Sequence, residues 1–395
     1  MKKFRLIIGM ALAITVLMGC VEKFEANVSE MLAEGLVVEG NIISDSTVIF
    51  SLTKTLPLSI TGDNEDLLES YLNVDAELSV QGSDGTLWQG YRMSSNQYFV
   101  RIGTLKPEVE YHLEILYKGD VYQSKPQRPL ANRGIKDVTF RQPDQDGPVT
   151  ISLDTEEGEE GGTDYFLWFF EEDWEVRAHF PTTYLYEPSV DAIIPYDYAP
   201  VAQGWCYNGT DQIILGTTES NTSNQMVGKT IQTIQNNDYR ISCLYSIRIQ
   251  QRNLTREEYE YHQVRAKQNN EMGGLFTPQP SELPTNITCS NPSRKVIGYV
   301  GCNMSVARHQ LYIKEKDVFY VDNYQCDLGK EPEGSYKDKY TAGFQVADKV
   351  ETSVEWARVR CIDVRTLQAD PYGRPDWWPN DYLHIKNRDF VGEYE

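Results

Sequence analysis

Four carboxylates crowd one tryptophan: Glu171, Glu172, Asp173 and Glu175 surround Trp174. Two carboxyl groups beside an aromatic ring are what a glycosidase uses, one as acid and the other as base or nucleophile. Closeness in sequence fixes no separation across a sugar, however, and acidic clusters commonly do no more than solvate a surface. Trp377-Trp378, between Pro375 and Pro379, has a similar double reading, as a stacking platform for a sugar or as packing. Asp144-x-Asp146-Gly147 begins like a calcium loop but lacks the later bidentate Glu. The acidic loop 154–164, with Glu156, Glu157, Glu159 and Glu160, could gather calcium, although a solvated hairpin accounts for it more simply. Gly228-Lys229-Thr230 matches the end of a P-loop, yet Ser223 stands where the upstream Gly is needed. There is no H-E-x-x-H and no G-x-S-x-G, and the five His are scattered. The sequence therefore nominates no catalytic residue, metal ligand or cofactor site.

The cysteines say more. Lys2, Lys3 and Arg5 precede an apolar run from Leu6 to Met18, broken only by Gly9 and Thr15. The run is too short to span a bilayer and fits a signal peptide. It ends in Leu17-Met18-Gly19-Cys20, the pattern of a bacterial lipobox. Residues 1–19 read as a lipoprotein signal peptide, with Cys20 as the acylated N-terminus and 20–34 as a tether. Several acyl chains, at about 0.8 kcal/mol per buried CH₂, anchor a protein stably. Val21 follows the lipidation site, so an Asp retention signal for the inner membrane is absent, and Glu22, Lys23 and Glu25 come next. These residues point to an outer-membrane lipoprotein, with its body at the cell surface. The remaining cysteines, Cys206, Cys243, Cys289, Cys302, Cys326 and Cys361, are even in number and contain no C-x-x-C, so they are disulfide candidates. Six cysteines allow fifteen pairings, and sequence does not choose among them.

The chain of 395 residues has 37 Lys+Arg against 58 Asp+Glu, a net charge of −21. Loss of the basic leader would take the mature chain to about −24, since three positive charges leave with it. That balance excludes a nucleic-acid binder, which needs clustered cations.

The elements that must position these groups are strands. Leu36–Gly40, Val48–Leu52, the alternating Asn73–Val80, Tyr98–Ile102 and His112–Tyr117 follow one another with turns between them. Seven or so short strands in about 100 residues predict a β-sandwich over 35–130. Leu105-x-Pro107-x-x-x-Tyr111 resembles the tyrosine corner of immunoglobulin-like and fibronectin-type domains. Beyond a Pro/Gly linker, residues 135–395 predict a larger β-rich domain holding all six non-lipid cysteines. Tyr165 to Phe170 is apolar on both faces, as a central strand would be. Ser242–Gln250 alternates, Val318–Val321 and Val354–Val364 are further strand candidates, and Thr255-x-x-Glu258 caps one short helix running to about Gln268. The fold class is all-β.

Several blocks resemble a known family. They are Trp168 to Val176, Tyr245 to Gln250, and above all Gly273-Gly274-Leu275-Phe276 through Pro280-Ser281 and Asn286-Ile287-Thr288-Cys289 to Ile297-Gly298-Tyr299-Val300. Their order and spacing are similar to the Bacteroidota lipoprotein family called domain of unknown function 4249. Cys361 with Pro375-Asp376-Trp377-Trp378 resembles that family's ending, although Val364 stands where a second Cys often falls. The resemblance implies an accessory role beside a TonB-dependent β-barrel receptor and carries over no catalytic residue. The expectation is a non-enzymatic protein that binds a small ligand, a peptide or that receptor during nutrient uptake. An acidic surface suits neutral or cationic cargo. The rival expectations are a surface hydrolase using the carboxylates near Trp174, and an adhesion or envelope-assembly protein.

Overall fold

A computed structural model describes residues 35–55, 65–195, 202–210, 212–271, 283–323, 326–351 and 353–379. Cys20, the tether and the Gly273-Gly274-Leu275-Phe276 block lie outside the described residues.

The chain opens with β1 (Leu36–Ile43) and β2 (Thr47–Lys54), then a helix α1 (Glu65–Leu72). β3 (Glu77–Gly82), β4 (Leu87–Arg92), β5 (Gln97–Arg101), β6 (Tyr111–Tyr117) and β7 (Asp120–Ser124) follow. Alternation places Val38, Phe50, Leu52, Leu78, Val80, Val100, Leu113 and Ile115 in one core. β4 turns the corner between the two sheets of this body. Its first half pairs with β3 and its second half with β5. Gly90 sits at the changeover, where a Cβ would lie 2.7 Å from Leu78 Cδ2 and 2.9 Å from its carbonyl oxygen. The tyrosine corner is formed: Tyr111 is buried, and its hydroxyl accepts a hydrogen bond from the Lys106 N–H at 2.9 Å.

The second body is built from β8 (Ile135–Arg141), β9 (Val149–Thr155), β10 (Tyr165–Arg177), β11 (Tyr184–Glu187), β12 (Ala192–Pro195), β13 (Gln203–Gly209), β14 (Ile214–Thr217), β15 (Lys229–Ile234) and β16 (Leu244–Leu254). β10 is central, as its apolar sequence predicts. It pairs with β16 on one side and with β13 and β14 on the other. A three-stranded sheet, β15-β9-β8, packs against it around Phe166, Trp168, Phe170, Trp174 and Ile247. Helix α2 (Arg256–Glu271) follows β16, and the Thr255 hydroxyl accepts from the Glu258 N–H at 3.2 Å, as the capping residues predict.

The chain then departs from a simple two-domain order. β17 (Ile287–Cys289) and β18 (Val296–Asn303) return to the first body. β17 pairs with β7, and β18 pairs in parallel with β1, giving the order β17-β7-β6-β3-β4-β5-β2-β1-β18. Segment 35–130 is therefore completed by strands from far along the chain, and Cys289 and Cys302 belong to the first core rather than the second. Two features of the Asn286 to Val300 block explain why. Asn286 bridges the gap between the end strands, its amide donating to the Val300 carbonyl at 2.9 Å and accepting from the Val300 N–H at 3.0 Å. Gly298 has φ +132°, and a Cβ there would lie 1.9 Å from the Val38 carbonyl oxygen, so only glycine lets β18 run this close to β1.

β19 (Ala307–Lys314) then joins β16, and a C-terminal hairpin of β20 (Phe344–Val350) and β21 (Ser353–Arg358) follows helix α3 (Tyr336–Thr341). The described residues thus hold three helices where one was expected. Residues 318–321 form no strand, and the strand expected over 354–364 stops at Arg358, where 3₁₀ turns begin.

Candidate functional site

Strand alternation separates the four carboxylates around Trp174 onto opposite faces of β10. Glu172 and Trp174 point into the core between the sheets, where Glu172 is fully buried. Its Oε1 accepts from Arg240 at 2.9 Å, from Gln232 at 3.0 Å and from the Tyr245 hydroxyl, and its Oε2 accepts from Asn208 and Arg240, both at 3.1 Å. A carboxylate offers about four lone-pair sites, so Glu172 is saturated and has none left for a substrate proton. Burial and the adjacent Glu172 push the Tyr245 phenol well above its ordinary value, which keeps it a donor. Glu175 is buried too, and it accepts from Arg177 and, at 2.7 Å, from Gln203.

Glu171 and Asp173 lie on the opposite face, which by the same alternation Glu175 shares. Arg248 on β16 lies between them, with Nη2 2.8 Å from Glu171 Oε2 and Nη1 3.3 Å from Asp173 Oδ2. The second contact is off the hydrogen-bonding angle, leaving Asp173 Oδ2 buried with charge attraction but no aligned donor. Burial pushes the Asp173 carboxyl up to about 6, against the pull of Arg248 and with the push of Glu171 and Glu172. The Arg248 guanidinium stacks on Trp377, 4.4 Å from the ring centre, while Trp378 is buried with Leu244 and Tyr312. The fold therefore brings Trp377 to two of the nominated carboxylates. The arginine already occupies the space between them.

Of the six cysteines, Cys326 and Cys361 form a disulfide, with Cα atoms 5.7 Å apart. Cys206, Cys243, Cys289 and Cys302 are free thiols. Burial pushes Cys206 and Cys243 up to about 11 and Cys302 to about 12, so these three stay protonated and inert at neutral pH. The acidic loop 154–164 does not converge. Glu156 accepts from the Gly134 N–H, Asp154 accepts from the Gly228 N–H, and Asp164 pairs with Arg133. Asp144 closes its own turn through the Asp146 N–H. Among the described residues, no three His, Cys, Asp or Glu side chains could share a metal ion.

The open space lies elsewhere. A cleft of about 660 Å³ is lined by residues 212–215 at β14, by Lys229 to Thr233 of β15, and by Tyr259, Gln263, Ala266 and Lys267 of α2. Those four helix positions follow the i, i+4, i+7, i+8 spacing of a single face. Among the described residues, β14 pairs only with β10 and β15 only with β9, so each presents a free edge. Lys229 crosses between them: its Nζ donates to the Leu215 carbonyl at 2.6 Å and sits 5.5 Å above the Trp168 ring. Burial pushes the Lys229 ammonium below its ordinary value. Gln232, on the cleft wall, is also one of the donors to Glu172, which ties the cleft to the buried carboxylate. The sequence flagged Lys229 only as a failed P-loop. The usable signal was the spacing of polar residues along α2.

No curated protein matches the chain. Among solved structures, a DUF4785 family protein from Legionella pneumophila is 10% identical, with a TM-score of 0.18 over 55% of this chain and 52% of that one. The chain spans about half of that structure's length, and so low a score bears on neither fold nor function. The family model named Domain of unknown function (DUF4249) matches residues 21–308, most of the chain, and the protein belongs to that family.

Proposed function

We propose that this is a lipid-anchored outer-membrane accessory protein, non-enzymatic, that captures a ligand and works beside a TonB-dependent receptor during nutrient uptake. The observation that carries the reading is the cleft between β14, β15 and α2. Its volume lies within the range of small-molecule and peptide sites, and its walls carry amides, hydroxyls and two lysines. The saturated Glu172 and the arginine-filled space between Glu171 and Asp173 support binding over hydrolysis. The lipobox at Cys20 supports the anchor. The test is a mild-detergent pull-down of the tagged, lipidated protein from its native outer membrane, with mass spectrometry of its partners. A stoichiometric β-barrel receptor is the expected result; recovery of the protein alone, with its lipid intact, would overturn the receptor partnership.

Asp173 favours a second reading, a surface hydrolase. Its carboxyl, pushed up to about 6, is partly protonated near neutrality, as a general acid must be. Turnover of a glycan or peptide panel that disappears in Asp173→Asn while the fold persists would establish it. An unchanged panel removes it.

A further inference from the structure

We infer that the cleft takes an extended peptide with a free C-terminal carboxylate, its backbone added as a strand along β14 and its carboxylate paired with Lys229. The inference rests on the capture reading above and names the ligand's chemistry.

Three observations converge on it. The first is the pair of free edges. A strand edge exposes a row of backbone donors and acceptors, and the Leu215 carbonyl shows that one acceptor of β14 faces the cleft. An extended peptide meets such an edge with its own backbone groups, largely regardless of its sequence. β14 is four residues long, about 13 Å of strand, which suits a short peptide.

The second is Lys229. This chain carries 58 acidic residues, yet among the described residues no carboxylate lies within 4.0 Å of this half-buried ammonium. Its one hydrogen-bond acceptor among the described residues is a neutral carbonyl. An ammonium has three donors, and burying one beside a carbonyl costs more than pairing it with a charge. A ligand carboxylate would supply the charge and release the Leu215 carbonyl to accept from the incoming backbone.

The third is the roof. Gln263 and Lys267 on α2 bring a side-chain amide and a second cation over the cleft, and Gln212 adds another amide on the β14 side. Amides both donate and accept, so they serve peptide groups in either orientation. The surrounding negative charge repels an acidic ligand and tolerates one whose other side chains are neutral or basic. The recognised end is therefore the terminal carboxylate, held locally by lysine, on an otherwise uncharged or cationic chain.

The test uses the full lipidated chain in detergent micelles. The probes are two pools of synthetic random hexapeptides, fluorescein-labelled at the N-terminus, one with free C-terminal acids and one with C-terminal amides. Fluorescence polarisation should show the acid pool binding at least 10-fold more tightly than the amide pool. Lys229→Met should erase that preference, and Lys229→Arg should keep most of it. Ala266→Trp, which fills the cleft from the helix, should abolish binding of both pools. Hydrogen–deuterium exchange should slow at 214–217 and 229–233 when the acid pool is bound. Equal binding of acid and amide, a preference that survives Lys229→Met, or no binding by protein with a wild-type melting curve would each overturn the inference. The capture reading fails separately, if a deletion strain imports every nutrient normally even though the purified protein binds the acid pool.

Discussion

In the first body, the end strands β17 and β18 are drawn together: Asn286 bridges them, and Gly298 lets β18 lie against β1. In the second, β14 and β15 face one another across open space, spanned by one lysine side chain. Both bodies are alternating strands around an apolar core, although only the second buries carboxylates, and they differ in what happens at their edges. Closing an edge gives stability and protects the strand from foreign partners. Leaving two edges apart, roofed by a helix, leaves backbone groups available to a ligand. On this view the Asn286 to Val300 block is architecture and the cleft is the working part.

The sharpest way to break the contrast is inside the second body. Arg240→Ala would leave Glu172 buried without its counter-ion, and urea unfolding should show a loss of about 3–5 kcal/mol. If the loss is far smaller, the open body is not organised around that carboxylate. Next comes Gly298→Ala, whose Cβ has no room beside Val38. It should cost about 3 kcal/mol and free the β1 edge, seen as faster amide exchange over 36–43, while leaving peptide binding at the cleft intact. Loss of cleft binding would show that the two bodies are not independent. Replacing Cys326 and Cys361 together by Ser should cost about 2–4 kcal/mol, because their bond closes a long loop at the C-terminal end. Mass spectrometry of the unreduced protein should find that bond and four free thiols beyond Cys20.

The smallest effect separates the two faces of β10. The Asp173 carboxyl is pushed from 3.8 up to about 6, so its protonated form is the one the fold favours. That preference is fully present below pH 4, is lost as pH rises towards 6, and leaves a constant penalty above it. Asp173→Asn should therefore raise Tm at pH 7–8 by a few degrees and leave it unchanged at pH 4. Glu172→Gln should lower Tm instead, because its carboxylate is met by four side chains, one of them the Arg240 cation.

Much of the fold was legible in the sequence. Alternation located most strands of the first body, Tyr111 marked the corner, and the double apolar run marked β10 as central. Thr255 and Glu258 marked the start of α2. Local patterns did not reveal that β18 pairs with β1, because parallel partners leave no turn between them to read. The carboxylates around Trp174 drew attention as a group, and period-two alternation alone was enough to split them into inner and outer sets. Their saturation was not readable, since Asn208, Gln232, Arg240 and Tyr245 come from four separate segments. The cleft was hidden for the same reason: its walls are a strand edge, a second strand edge and a helix face, distant in sequence and joined only by packing.

The ladder that joins Leu36 to Val296 also sets a timetable. A chain emerging N-terminus first makes β1 through β7 early, yet the first body lacks its end strands until residues 289 and 303 have appeared. Through that interval the outer edge of β1 has no partner of its own. A neighbouring copy further along, with its own β18 already made, offers a strand that fits, which makes exchange of this strand between chains at different stages the characteristic assembly error of this protein. Pairings so distant also form slowly, because the loop must close before the contacts that reward it exist. Fragments ending before β18 should aggregate through β1, and supplying a peptide of residues 296–303 during refolding should rescue them.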